Sequence, residues 1–291
     1  MFQGIYVALP TPFTGSGGVD EAAFTAQVER LLAAGVHGLV PTGTTGESPT
    51  LTNDEKKLLW KICVKLADGR AQVVVGAGTY DTAASVAATR MAADVGADGV
   101  LAVVPYYNKP MQHGLVAHFG SIAQIGVPVM IYNIPGRTAR NMETAAILAA
   151  AEHPTIKAVK EASGGVAVTE ELKRAKPQLN VLSGDDALLL PSLAVGGDGV
   201  VSVAANVDPA RMIALWEAWQ AGDTRRALAI NQDLAPLYGA LFAETNPIPV
   251  KAALMLQGHG TTEMRLPMTS AVDATVVKLR AVMDRLGLLK G

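Results

Sequence analysis

The chain has 291 residues, of which 49% are hydrophobic and 17% charged, with a formal net charge of −2. Acidic and basic residues are interspersed without a Lys/Arg-rich block, which argues against a nucleic-acid partner, and no apolar run approaches the ~18 residues of a membrane span. The N-terminus Met1-Phe2-Gln3-Gly4 has no basic leader, so no signal peptide is expected, and Cys63 is the only cysteine, which excludes an intrachain disulfide and a thiolate metal cluster. A cytoplasmic globular protein is the expectation, with Cys63 as buried filler.

Eight short apolar runs are predicted strands: Ile5–Leu9, Gly38–Pro41, Val73–Gly76, Val100–Val104, Val129–Asn133, Ile156–Glu161, Val181–Ser183 and Val200–Val203. Most are continuous runs of Val, Ile and Leu, the pattern of parallel strands buried on both faces. Amphipathic helical segments lie between them. Thr52 and Glu55 have capping-box spacing. Asp81 or Thr82 can cap the next helix, and Asp208-Pro209 opens another. Three similar phrases join helix to strand: Gly35-Val36-His37-Gly38, Gly96-Ala97-Asp98-Gly99 and Gly197-Asp198-Gly199. A repeated turn of this kind argues for a repeated βα unit, and about eight of them for a closed α/β barrel, the (β/α)8 or TIM barrel. Thr11-Pro12-Phe13 stands after the first strand, where a dinucleotide-binding sheet would carry a glycine fingerprint. Residues 1–222 are read as the barrel and 223–291 as a helical appendix packed on it. Arg225–Phe242 and Asp273–Leu286 are its predicted helices, separated by a proline-rich turn at Glu244–Pro249.

Barrel active sites lie at the C-terminal ends of the strands. Lys160 ends strand six and shares strand parity with Ile156 and Ala158. If that face is the barrel interior, desolvation lowers its pKa and leaves an amine able to attack a carbonyl. A lysine snorkelling from the strand end, or paired with Glu161 or Asp185, is the alternative. Tyr132 ends strand five and either moves protons or ties its hydroxyl to backbone. Thr44 and Thr45 lie between Gly43 and Gly46, which are expected to let the backbone bend tightly, in a loop that either binds a carboxylate on exposed N–H groups, with hydroxyls that pass protons, or caps the following helix. Arg137 suits a second carboxylate or is simply solvated. Tyr106-Tyr107 fit core, ligand stack or subunit contact equally. The five histidines give no cluster at ligand spacing, so no metal site is expected.

Together, Gly43-Thr44-Thr45-Gly46-Glu47, Tyr132-Asn133-Ile134-Pro135-Gly136-Arg137-Thr138 and Val159-Lys160-Glu161-Ala162 resemble the pyruvate-dependent Schiff-base aldolase superfamily that includes N-acetylneuraminate lyase. Pro105–Pro110, Ser183–Asp186, Asn246–Lys251 and Leu266-Pro267-Met268 resemble its dihydrodipicolinate synthase family more closely, over essentially the whole chain. The resemblance implies condensation of pyruvate with L-aspartate 4-semialdehyde, without metal or organic cofactor. It implies an imine on Lys160 and a proton relay of Tyr132, Thr44 and Tyr107, with Tyr107 reaching in from a neighbouring subunit. It implies that Thr45 holds the pyruvate carboxylate and Arg137 that of the aldehyde, with main-chain contacts from Gly184 and Val201. It implies a homotetramer built as a dimer of dimers. Positions matching the lysine-inhibitor pocket of the family are Ser48, Pro49, Asn53, Lys56, Tyr80, Ala84 and Tyr106. Lys56 places a cation there and Ala84 lacks a carboxylate, so weak or absent lysine feedback is expected. The rival expectations are another aldolase of the superfamily, splitting a sugar acid, and a non-enzymatic barrel that binds an acidic metabolite.

Overall fold

A computed structural model describes residues 1–289. Its frame is a closed barrel of eight parallel strands in sequence order. These are β1 (Gly4–Ala8), β2 (Gly38–Val40), β3 (Gln72–Gly76), β4 (Gly99–Val103), β5 (Val129–Asn133), β6 (Ile156–Glu161), β7 (Asn180–Ser183) and β8 (Gly199–Ser202), with β8 pairing back to β1. Every predicted strand is present, within a residue at each end.

Alternation along the strands explains their unbroken apolar character. Ile5, Val7, Val129 and Ile131 face the surrounding helices and belong to the outer core. Tyr6, Ala8, Met130 and Tyr132 point inward and fill the barrel. Successive strand side chains alternate faces, so both faces are buried by different partners. One strand departs from strict alternation. The β5–β6 register shifts between Val129 and Met130, pairing Val129 with Ile156 but Met130 with Ala158. Such a bulge moves the residues before it to the other face. Ile156 therefore packs in the outer core, while Ala158 lies inside the barrel. The parity expected for Lys160 holds through Ala158 but not through Ile156.

The helix starts follow local chemistry. Thr52 and Glu55 form the reciprocal capping box at helix Asn53–Ala67. Asp81 caps Thr82–Asp94, and Asp208 caps Pro209–Gln220 with Pro209 in its first turn. Gly35 (φ +83°) and Gly96 (φ +78°) take the left-handed helix-ending conformation. In the third phrase that role falls to Gly196 (φ +94°), one residue earlier than Gly197. Gly197 is needed for space: a Cβ there would meet the Ser192 side chain at 2.3 Å.

Beyond helix Pro209–Gln220 come three more helices, Thr224–Leu241, Ile248–Leu256 and Asp273–Arg285. Leu234, Leu237, Leu241, Val250, Leu279 and Met283 join the same outer core as the barrel helices. Helix Ile248–Leu256 was not expected, because Pro247 and Pro249 read as breakers. Pro249 instead occupies its first turn, where a missing N–H is harmless. The C-terminal segment is also tied to the barrel by charge. Lys251 forms a buried ion pair with Glu47, and Arg265 holds the Glu55 carboxylate through both terminal nitrogens. No helix among the described residues is long and apolar enough to cross a membrane.

Candidate active site

The C-terminal ends of the strands surround a cavity of about 640 Å3, of the size used for small metabolites. Thr44, Tyr132, Arg137 and Asn246 line it. Lys160 is 6% exposed and lies behind this lining, against Tyr132.

Tyr132 and Lys160 are register partners across β5 and β6. The Lys160 ammonium nitrogen sits 4.1 Å from the centre of the Tyr132 ring. Among the described residues it has no ion pair. Glu161 accepts from Asn133 and from the Ser163 N–H, and Asp185 caps Ala187; neither carboxylate forms the ion pair with Lys160 considered from sequence. Burial pushes the Lys160 pKa down to about 7, opposed by the negative charge of Asp186 and aided by Arg137. Gly184 is needed beside it: a Cβ there would lie 3.1 Å from Lys160 Cε and 2.7 Å from Ala162 Cβ. Val201 is buried in the interior cluster that also contains Tyr132.

Tyr132 is 5% exposed, and its hydroxyl has no main-chain partner among the described residues. Burial raises its pKa to about 12, with Arg137 and the Thr44 side chain pulling the other way. At neutral pH it is therefore a phenol that donates. Thr44 and Thr45 follow β2, but the tight bends fall beside the glycines rather than on them. Thr42 (φ +56°) and Glu47 (φ +53°) carry the left-handed conformations. Gly46 is required by crowding, since a Cβ would meet the Thr42 backbone nitrogen at 2.9 Å. The Gly46 N–H is spent on the Gly43 carbonyl, so it is not an open donor. Helix Asn53–Ala67 steadies this loop, Trp60 Nε1 donating to Thr42 Oγ1 at 2.7 Å.

Arg137 is exposed at the mouth, and its guanidinium donates to the Asn246 carbonyl at 3.0 Å. Tyr107 is not brought into this site. It is 91% exposed on a left-handed turn at φ +69° and points away from the chain. Tyr106 instead packs edge-on against Tyr80, with ring centres 5.2 Å apart. Ser48, Pro49, Lys56, Tyr80 and Tyr106 line the outer part of the same cavity. Asn53 and Ala84 are exposed at the starts of helices Asn53–Ala67 and Thr82–Asp94.

Two residues with no role assigned from sequence stand out. Asp186 is 1% exposed and accepts from the Ser202 hydroxyl and from the N–H groups of Val203 and Ala204. Burial raises its pKa while these donors oppose the rise. Asn246 joins Thr45 to Arg137: its Nδ2 donates to Thr45 Oγ1 at 2.9 Å. An acid just past a strand end, and an asparagine opening a proline-rich turn, were the available signals. No group of three or more His, Cys, Asp or Glu among the described residues could hold a metal ion. Cys63 is fully buried and its thiol pKa is raised, so it is not a nucleophile.

A model of the dihydrodipicolinate synthetase family matches residues 1–286. The chain belongs to that family. Among its members, the 4-hydroxy-tetrahydrodipicolinate synthase of Thermosynechococcus vestitus is 48% identical over 294 aligned positions, covering 99% of both chains. The solved dihydrodipicolinate synthase of Aquifex aeolicus is 43% identical, with a TM-score of 0.96 over 100% of both chains. That of Acinetobacter baumannii, solved with pyruvate and described as chloride-inhibited, is 36% identical, with a TM-score of 0.97 over 99% of this chain and 100% of that one. A member of this family at that identity shares its (β/α)8 fold from end to end.

Proposed function

We propose that the chain condenses pyruvate with L-aspartate 4-semialdehyde to 4-hydroxy-tetrahydrodipicolinate, through an imine on Lys160. The observation that carries this reading is a buried lysine whose pKa falls to about 7, in register with a buried tyrosine. Membership of the dihydrodipicolinate synthetase family supports the choice of substrates.

The Lys160 amine attacks the pyruvate carbonyl, and Tyr132, kept as a phenol, gives a proton to the departing hydroxyl as the imine forms. The protonated imine draws electrons from the methyl carbon, which loses a proton and becomes an enamine. The enamine attacks the aldehyde carbon. The amino group of the second substrate then closes onto the imine carbon and displaces Lys160. The imine is itself the electron sink, so the scheme needs neither metal nor organic cofactor. Thr45 holds the pyruvate carboxylate, and Arg137 that of the semialdehyde. Gly184 and Val201 offer main-chain contacts beside the imine. Thr44 passes protons between Tyr132 and the relay.

Tyr107 completes that relay in a neighbouring subunit, in a homotetramer built as a dimer of dimers. Its almost full exposure on a left-handed turn supports this assignment. Lysine feedback is weak or absent, because Lys56 lines the outer cavity with Ser48, Tyr80 and Tyr106 and would repel a cationic ligand. A cytoplasmic location goes with a role in lysine and diaminopimelate biosynthesis. Incubating the protein with pyruvate and a panel of aldehydes tests the whole reading. Turnover should be confined to aspartate semialdehyde, and preference for a sugar-derived aldehyde would overturn it.

A further inference from the structure

Asn246 stands two residues before helix Ile248–Leu256 and is 6% exposed. It touches both side chains assigned above to substrate carboxylates. Its amide Nδ2 donates to the Thr45 hydroxyl at 2.9 Å, and its main-chain carbonyl accepts from Arg137 Nη2 at 3.0 Å. Its Oδ1 is buried and meets no donor among the described residues. A buried asparagine kept for stability alone normally has its acceptor satisfied. This one leaves Oδ1 unmet and directs its amide N–H to Thr45.

The consequence lies in the hydroxyl of Thr45. A hydroxyl donates one proton and accepts through two lone pairs. The Asn246 N–H occupies one lone pair. Thr45 is 3% exposed, and no acceptor among the described residues takes its proton, so on the carboxylate assignment of Thr45 that proton is available to the ligand. The two ends of Asn246 thus act on two different subsites, through the side chain on one and the backbone on the other.

We propose that Asn246 is a positioning residue that makes Thr45 a proton donor to the carboxylate of pyruvate while its carbonyl holds Arg137 at the entrance. The proposal rests on the assignment of Thr45 and Arg137 as carboxylate-binding residues. Asn246 itself touches no substrate and acts through the two that do. Helix Ile248–Leu256 carries Lys251, whose buried pair with Glu47 anchors the same loop. The C-terminal segment therefore holds the Thr44-Thr45 loop at two points, one fixing its path and the other its hydrogen-bond polarity.

Asn246→Asp tests this directly. It keeps the side-chain size and the backbone carbonyl, but replaces the N–H donor with an oxygen that accepts the Thr45 proton. The pyruvate KM should rise about tenfold, the cost of a lost charge-assisted hydrogen bond, with a much smaller change in kcat. The rise should shrink at low pH, where the protonated acid again donates. In a Thr45→Val background the same substitution should add little, because Asn246 acts through Thr45. Asn246→Ser, neutral and smaller, should show an intermediate pyruvate KM, and gives a second variant should Asn246→Asp fold poorly. An unchanged pyruvate KM in Asn246→Asp overturns the proposal. So does a full penalty added on top of Thr45→Val, which would mark a plain charge effect. If Thr45→Val alone leaves the pyruvate KM unchanged, the carboxylate assignment of Thr45 fails instead, and this proposal falls with its premise.

Discussion

Lys160 and Tyr132 face each other across neighbouring strands as register partners, with the lysine nitrogen 4.1 Å from the tyrosine ring centre. Burial acts on the two in opposite senses. It favours the neutral amine of Lys160 and the neutral phenol of Tyr132. A nucleophile and an acid are thereby ready together at neutral pH, which is what imine formation requires.

The pH dependence follows from the Lys160 pKa of about 7. The reactive form is the free amine, so kcat/KM for pyruvate should fall as pH drops below about 7 and level off above it. Asp186 raises the Lys160 pKa and Arg137 lowers it. The acid limb should therefore move to lower pH in Asp186→Asn and to higher pH in Arg137→Gln. Initial-rate profiles of the three proteins check both directions, and shifts of the opposite sign would contradict the electrostatic account.

Tyr132→Phe removes the hydroxyl and keeps the ring that packs in the barrel interior. Turnover should drop by about 100- to 10,000-fold. The melting temperature should stay close to that of the parent, because no main-chain partner is lost. A variant that keeps most of its turnover would remove Tyr132 from the proton relay.

The active site opposes stability. The folded-state pKa of Lys160 lies below that of an ordinary lysine, so folding releases its proton at neutral pH and costs free energy there. That cost grows as pH falls from the ordinary lysine range toward about 7 and is constant below. Lys160→Met should be inactive yet more stable at pH 7 by about 1–2 kcal/mol. Chemical denaturation at neutral and alkaline pH reads the difference, which should narrow as pH rises.

Gly184→Ala should disable the enzyme without unfolding it. The added methyl would press on Lys160 Cε and Ala162 Cβ. Overpacking of this kind costs about 1–3 kcal/mol, while displacement of the lysine should slow imine formation at least tenfold. Stopped-flow imine formation alongside a melting curve separates the two effects.

The barrel was legible in the sequence because its strands are continuous apolar runs and its helix ends are marked by caps and glycines. The site was legible in part. Tyr132, Thr44 and Arg137 line one cavity, and Lys160 packs against Tyr132. What escaped was local geometry that no periodicity encodes. The β5–β6 bulge turned Ile156 outward. Strain in the Thr44-Thr45 loop fell on Thr42 and Glu47 rather than on glycine. Pro249 began a helix where it was read as ending one. Asp186 and Asn246 gain meaning only through partners far away in the chain, Ser202 and Thr45, which no linear spacing joins.

Borohydride trapping puts the central claim to its most direct test. The protein is incubated with pyruvate, reduced, digested, and searched by mass spectrometry for the reduced pyruvyl group. The account predicts one modified peptide, with the adduct on Lys160, and none in Lys160→Ala. An adduct on another lysine, or full turnover without any adduct on Lys160, would contradict it.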